Sequence, residues 1–258
     1  MNMRKSKVLE ALRQGRPAFS VKINTADARI VDMAARCGIE CIWTDTEHVA
    51  NDWSVIEKHI YAAKASDADV LVRVARGSYS DYIRPLELDA AGIMVPHVMS
   101  AEDARAVARM TRFYPVGRRP VDGGNADGAF AMMEQAAYNR AANENRFVVV
   151  QIEDPEPLEQ LDEIAQVEGI DMLFFGPGDF SHSIGVSGDL AHPQVQRARR
   201  MVAEAARRHG KYAGTVGGVA NAAELLAMGY SFLNLGADVV PMIQYFKEIG
   251  DFARKYRS

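Results

Sequence analysis

The feature that most constrains this chain is an alternation repeated eight times: a short apolar run, then a longer segment with helical periodicity. The apolar runs lie near 18–23, 40–44, 70–74, 92–96, 147–152, 172–175, 212–216 and 232–235. The helical segments lie near 27–37, 53–65, 79–89, 101–112, 157–166, 193–208, 220–228 and 239–256, with a short amphipathic helix at 5–13 ahead of the first run. Strands joined by crossover helices run parallel. Eight such units over 258 residues predict an α/β fold closed into a (β/α)8 TIM barrel. No Gly/Ser/Pro linker divides the chain, so residues 1–258 are expected to form a single domain. The one long connection, 113–146, opens as loop chemistry, YPVGRRPVDGGNADGAF, and turns helical over 129–143. Connections of that length are functional or mobile more often than they are disordered insertions.

Composition narrows the partners. Hydrophobic and charged fractions of 48% and 25% belong to a soluble globular protein. A formal charge of −4 gives no electrostatic reason to expect nucleic acid or an anionic membrane. No apolar run reaches the roughly 18 residues of a spanning helix. The opening MNMRKSKVLEALRQG lacks the apolar stretch of a signal peptide. The two cysteines, Cys37 and Cys41, have no Cys/His neighbours to make a zinc site and read as two buried cytosolic thiols. A cytoplasmic location is expected.

In an α/β barrel the functional residues sit where the strands end. That rim carries Lys22, the TDTEH block with Asp45, Glu47 and His48, then Arg73, Pro96-His97, Glu153, the GPGD turn ending in Asp179, and Gly217-Gly218. The unit 147–181 is central. Its two runs point the same way, so Glu153 and Asp179 emerge at one edge, beside a glycine-rich turn whose N–H groups can hold an anion. Such a pair suits a hard divalent cation, Mg2+ or Mn2+, with Co2+, Ni2+ and Zn2+ also compatible. Arg73 can stabilise an oxyanion on the same ligand. His48, three residues after Asp45 and next to Glu47, can shuttle a proton with Asp45 orienting it. These parts are what enolate chemistry on a 2-keto acid requires. The cation would chelate the keto oxygen and one carboxylate oxygen, and the N–H groups of Gly178 and Asp179 would hold the remaining charge. Plainer readings stand beside each residue. Asp179 could be only a helix N-cap, Arg73 only the ion-pair partner of Glu153 or Asp45, and His48 a satisfied structural histidine. Lys22 offers a rival, metal-free Schiff-base chemistry, which would leave the Glu153/Asp179 pair without a purpose.

The blocks TDTEHVAND, LVRVARG, IMVPHV, VVVQIED and LFFGPGDFSHSIG resemble, in order and spacing, those of the HpcH/HpaI family of class II, metal-dependent pyruvate aldolases. The resemblance runs from about Gly15 to the final helix. It implies reversible cleavage of a 4-hydroxy-2-keto acid into pyruvate, or hydroxypyruvate, and an aldehyde. It implies Glu153 and Asp179 as metal ligands, and Asp45 with His48 as an acid/base dyad working through a metal-bound water. It places Arg73 on the keto or enolate oxygen, with Gln151, Pro177, Gly178 and Asp179 as further substrate contacts. It also implies a homohexamer, a trimer of dimers, in which the segment from Val239 onward packs on a neighbouring barrel and an acidic residue near Glu87 reaches an adjacent site. Two positions depart from the family pattern. Lys22 stands where relatives commonly carry an apolar or aromatic residue, and the loop often reading G-x-R-G is here Gly117-Arg118-Arg119-Pro120. Other readings compete. An acyl-CoA lyase, with Arg118-Arg119 along the thioester's path, or an oxaloacetate decarboxylase would use the same enolate site. A phosphosugar isomerase or binding protein would instead bind phosphate at Gly217-Gly218, after the seventh strand.

Overall fold

Successive residues of a strand face opposite sides of its sheet, and in this chain that alternation sorts the apolar residues into two cores. The computed structural model describes residues 2–257. Its strands are β1 (Ala18–Lys22), β2 (Cys41–Asp45), β3 (Asp69–Arg73), β4 (Gly92–Val95), β5 (Phe147–Ile152), β6 (Met172–Phe175), β7 (Tyr212–Val216) and β8 (Phe232–Ala237). All neighbours pair in parallel, and β8 closes on β1 to complete the eight-stranded barrel predicted from the sequence. Val70, Val72, Val148, Val150, Leu173 and Phe175 point outward and pack beneath the helices. Residues of the other parity, among them Cys41, Trp43, Leu71, Val149 and Phe174, fill the interior. Of the two cysteines expected to be buried, Cys41 is, whereas Cys37 is exposed. Continued along the same strands, that inward series reaches Asp45, Arg73, Gln151 and Glu153. The polar rim converges because it is the next turn of the same pleat.

Helix α1 (Lys7–Arg13) plugs the opposite end, adding Val8, Leu9 and Leu12 to the interior core. Buried Asp69 holds the plug by accepting from Ser6 Oγ (2.6 Å) and the Val8 N–H (3.0 Å). Outside the barrel lie α2 (Ala28–Arg36), α3 (Trp53–Ala65), α4 (Tyr79–Glu87), α5 (Ala101–Thr111), α6 (Gln135–Asn145), α7 (Leu161–Ala165), α8 (Pro177–Ser183), α9 (Pro193–Arg208), α10 (Ala222–Ala227) and α11 (Val239–Arg254). The helix expected at 157–166 is divided into a 3₁₀ segment, Glu156–Gln160, and α7. Pro155 and Pro157 remove backbone donors at its start. The long connection is packed. Phe113, Tyr138 and Ala142 cluster with Met3, and buried Arg119 pairs with Asp127 at 2.8 Å while the Tyr138 hydroxyl donates to the same carboxylate at 2.8 Å. The two buried charges neutralise each other, although Arg119 Nε and Asp127 Oδ1 have no hydrogen-bond partner.

Helix α11 breaks the pattern. None of its residues is buried, although Ile243, Phe246, Ile249 and Phe252 are large and apolar. Its start is fixed: Asp238 accepts from the N–H groups of Asn24 (2.8 Å) and Thr25 (3.1 Å) just beyond β1. Among the described residues no helix is long and apolar enough to cross a membrane.

Candidate active site

Asp45 and Arg73 end adjacent strands and face each other in the β2–β3 register. Arg73 donates to both Asp45 oxygens, through Nε at 3.2 Å and Nη2 at 2.6 Å. Lys22 Nζ lies 2.6 Å from Asp45 Oδ2. The β1–β8 register slips between Ser20 and Lys22, and Gly236 opposite adopts φ 153°, so a bulge sets the end of β1 at the mouth. Both cations sit against Trp43, with the guanidinium carbon 5.1 Å and the Lys22 ammonium 5.5 Å from its ring centre. Burial alone would raise the Asp45 carboxyl, but Arg73 and Lys22 outweigh it and hold it at about 2. Asp45 is a fixed anion that orders two cations.

That commitment changes the expected dyad. Asp45 Oδ1 accepts from the backbone N–H of Glu47 (2.9 Å) and of His48 (3.4 Å), not from the imidazole. The His48 side chain is 59% exposed, and its Nε2 lies 3.6 Å from Glu47 Oε2. Glu47 in turn reaches Arg73 Nη1 at 3.0 Å. His48 thus stands at the rim against Glu47, and the side-chain pairing of His48 with Asp45 is not formed.

Glu153 lies one residue past β5 and is 1% exposed. Oε1 accepts from the His97 N–H at 2.9 Å, and Oε2 accepts from the Gln151 amide, whose own oxygen is buried without a partner. Burial pushes the Glu153 carboxyl up to about 7, the His97 N–H pulls it down, and the negative charges of Asp179 and Glu47 raise it further. Asp179 follows on α8. Its N-cap is Gly176, so Asp179 is the third helical residue and not the cap, and it is exposed. The first amide of this helix to join the main-chain ladder is Phe180, bonded to the Gly176 carbonyl at 3.1 Å, which leaves the Pro177–Gly178–Asp179 turn ahead of it. Glycine is required at 176, because a Cβ there would stand 2.5 Å from Glu153 Oε2.

Two residues that sequence reasoning left without a role join this group. His97, two positions past β4, presents Nδ1 to Asp154 Oδ2 at 2.8 Å. Its place immediately after a strand was visible in the sequence; the partner across two strand ends was not. Glu87 is elsewhere, at the C-terminal end of α4, in a cleft with Trp53, Arg84 and Asn125 on the barrel's flank.

Several residues that the rival readings drew on have partners of their own. Lys22 is ion-paired with Asp45. Arg119 is buried on Asp127, so only Arg118 of that pair reaches the surface. The Gly217 N–H is bonded to the Asn234 carbonyl at 2.9 Å and that of Gly218 to Asn221 Oδ1 at 2.9 Å, which leaves no amide pair there for a phosphate.

Comparison with known proteins identifies the family. A chain with a TM-score of 0.90, an HpcH/HpaI aldolase from Desulfitobacterium hafniense DCB-2, is 28% identical and covers 96% of each chain. The citrate synthase SbnG superposes with a TM-score of 0.83 at 28% identity, covering 96% of this chain and 97% of that one. A 2-keto-3-deoxy-L-rhamnonate aldolase of Salmonella gallinarum is 32% identical over 232 residues, 90% of this chain and 86% of the relative. The HpcH/HpaI aldolase/citrate lyase profile matches residues 21–244. With its barrel, its rim of acids and these matches taken together, the chain is a carbon–carbon lyase that belongs to the HpcH/HpaI aldolase/citrate lyase family.

Proposed function

We propose that the protein reversibly cleaves a 4-hydroxy-2-keto acid into pyruvate, or hydroxypyruvate, and an aldehyde, at a divalent cation held by Glu153 and Asp179. The observation that carries this is the state of Glu153. It is a buried carboxyl raised to about 7 by burial and by Asp179, with only an amide and a backbone N–H hydrogen-bonded to it. A cation relieves both penalties, and the hard oxygen donors fit Mg2+ or Mn2+ first, then Co2+, Ni2+ or Zn2+. Once bound, the ion supplies Lewis-acid polarisation of the substrate's keto group.

The chain's own residues do the rest. The N–H groups of Gly178 and Asp179 are offered to the substrate carboxylate, with the Gln151 side chain beside it. Arg73, locked by Asp45 against Trp43, is set to meet negative charge building on the keto oxygen as the bond between C3 and C4 breaks. His48, at the open rim with Glu47, takes and returns the proton. The same reading makes residues 1–258 one domain in the cytoplasm, assembled as a trimer of dimers in which α11 packs on a neighbouring barrel and Glu87 serves an adjacent site. The test is pyruvate release from a 4-hydroxy-2-keto acid, abolished by EDTA and restored by Mn2+ or Mg2+. Glu153→Gln and Asp179→Asn should each lower turnover at least about a hundredfold with the fold intact, the scale of losing a group that stabilises transition-state charge. Retained activity in both variants overturns the assignment.

A further inference from the structure

His97 is held in place more firmly than its position in a loop requires. It is a non-glycine residue in the left-handed region, φ 48°, which costs on the order of 1 kcal/mol. Its N–H donates to Glu153 Oε1 at 2.9 Å, and its carbonyl accepts from the Arg76 guanidinium. Its Nδ1 meets Asp154 Oδ2 at 2.8 Å, and the other Asp154 oxygen accepts from Ser183 Oγ at 3.2 Å, on the helix that bears Asp179. The ring is therefore braced against both halves of the carboxylate pair.

The consequence is chemical. The Asp154 carboxylate orients the ring through Nδ1 and leaves Nε2 available to a hydroxyl, which can give or accept a hydrogen bond. Nε2 lies 3.7 Å from Glu153 Oε1, beyond hydrogen-bond reach, on a side chain that is 40% exposed. No described side chain hydrogen-bonds to it. Barrel order runs β3, β4, β5, β6, so His97 stands between Arg73 and Glu153 around the rim. A keto-acid half seated at Glu153, Asp179 and Arg73 would have His97 as a rim neighbour of its carbons beyond C3.

We propose that His97, oriented by Asp154, receives a hydroxyl of the aldehyde half and so selects hydroxyaldehydes, and the polyhydroxylated keto acids built from them, over plain alkyl aldehydes. The inference rests on the aldolase reading above and adds a specificity-determining residue to it. A site that pairs a substrate hydroxyl favours it over the analogue that lacks it by the net worth of one hydrogen bond.

The experiment uses Mn2+-loaded enzyme, pyruvate, and two acceptors that differ by one hydroxyl, glycolaldehyde and acetaldehyde. Wild-type enzyme should favour glycolaldehyde in kcat/KM. His97→Asn tolerates the left-handed backbone and so keeps the Glu153 contact; His97→Ala serves as the second variant. In both, the glycolaldehyde-to-acetaldehyde ratio should fall about tenfold, the worth of one neutral hydrogen bond, chiefly through KM for glycolaldehyde. This ratio is internal and does not depend on the fraction of protein folded. A fall of less than about threefold overturns the inference, as does equal loss of both acceptors or a wild-type enzyme with no preference. Exchange of pyruvate methyl protons with D2O reads the enolate half alone. Its absence in wild-type enzyme refutes the aldolase reading instead, so the two failures are separable.

Discussion

A carboxyl group buried at the rim and held near a second carboxylate is kept at a cost, and Glu153 is that group in this barrel. Its folded pKa of about 7 lies above the ordinary 4.5. Between those values the unfolded chain releases its proton while the folded one keeps it. The stabilisation is therefore fully present below pH 4.5 and is lost as pH rises through 7, a swing on the order of 3 kcal/mol. A divalent cation binds the ionised form, so its stabilising effect should grow over the range in which the metal-free protein weakens. Thermal melts with and without Mn2+ should show a small rise in Tm at pH 6 and a larger one at pH 8. Glu153→Gln, which has no proton to release, should flatten the metal-free decline and remove most of the Mn2+ increment. Equal Mn2+ shifts at the two pH values in the wild-type protein would contradict this account of the residue.

At the scale of elements, the barrel was legible because each strand declares itself twice, once by its apolar run and once by parity. Val148, Val150 and Ile152 alternate with Val149, Gln151 and Glu153, so the first polar inward positions mark the rim without any knowledge of the helices. What sequence does not carry is which rim groups touch. His48 follows Asp45 by three residues, yet the strand register gives Asp45 to Arg73, and Lys22 arrives from β1. His97 and Asp154 meet because the chain leaving β4 stays beside the last residues of β5, where the Val98 N–H bonds the Gln151 carbonyl. Helix α8 was hidden too: GPGD reads as a turn, but proline at the first helical position starts a helix once Gly176 has let the chain pass close over Glu153. Gly176→Ala tests that close approach. The added methyl meets Glu153 Cβ at 2.8 Å as well as Oε2 at 2.5 Å, so either the carboxylate or the start of α8 must move. We expect a stability loss of about 1–3 kcal/mol, together with a larger fall in metal-dependent kcat/KM than in folded fraction, read by melts and steady-state kinetics on one preparation. A melt shift with unchanged kcat/KM would show that the approach matters for packing alone.

At the scale of the whole molecule, α11 is the element the isolated barrel does not explain. Val239, Ile243, Phe246, Ile249 and Phe252 recur at spacings of three and four, the stripe of a helix that packs against something. Yet Phe246 remains 55% and Phe252 62% exposed. Contiguous apolar surface of this kind on a folded chain marks an interaction site. Its regular helix and the Asp238 latch to the end of β1 fix where it leaves the barrel, so the same face is offered by every copy. Under the proposed assembly a second copy covers that face. Phe246→Asp combined with Phe252→Asp should therefore yield a smaller species in sedimentation or light scattering while the barrel's circular dichroism is retained, because a charge buried at each contact costs several kcal/mol. If Glu87 also serves an adjacent site, the smaller species should lose turnover at saturating substrate while Mn2+ still raises its Tm. A wild-type protein that sediments as a monomer would remove the partner from α11. A dissociated variant with full turnover would keep the assembly but confine each active site to its own barrel.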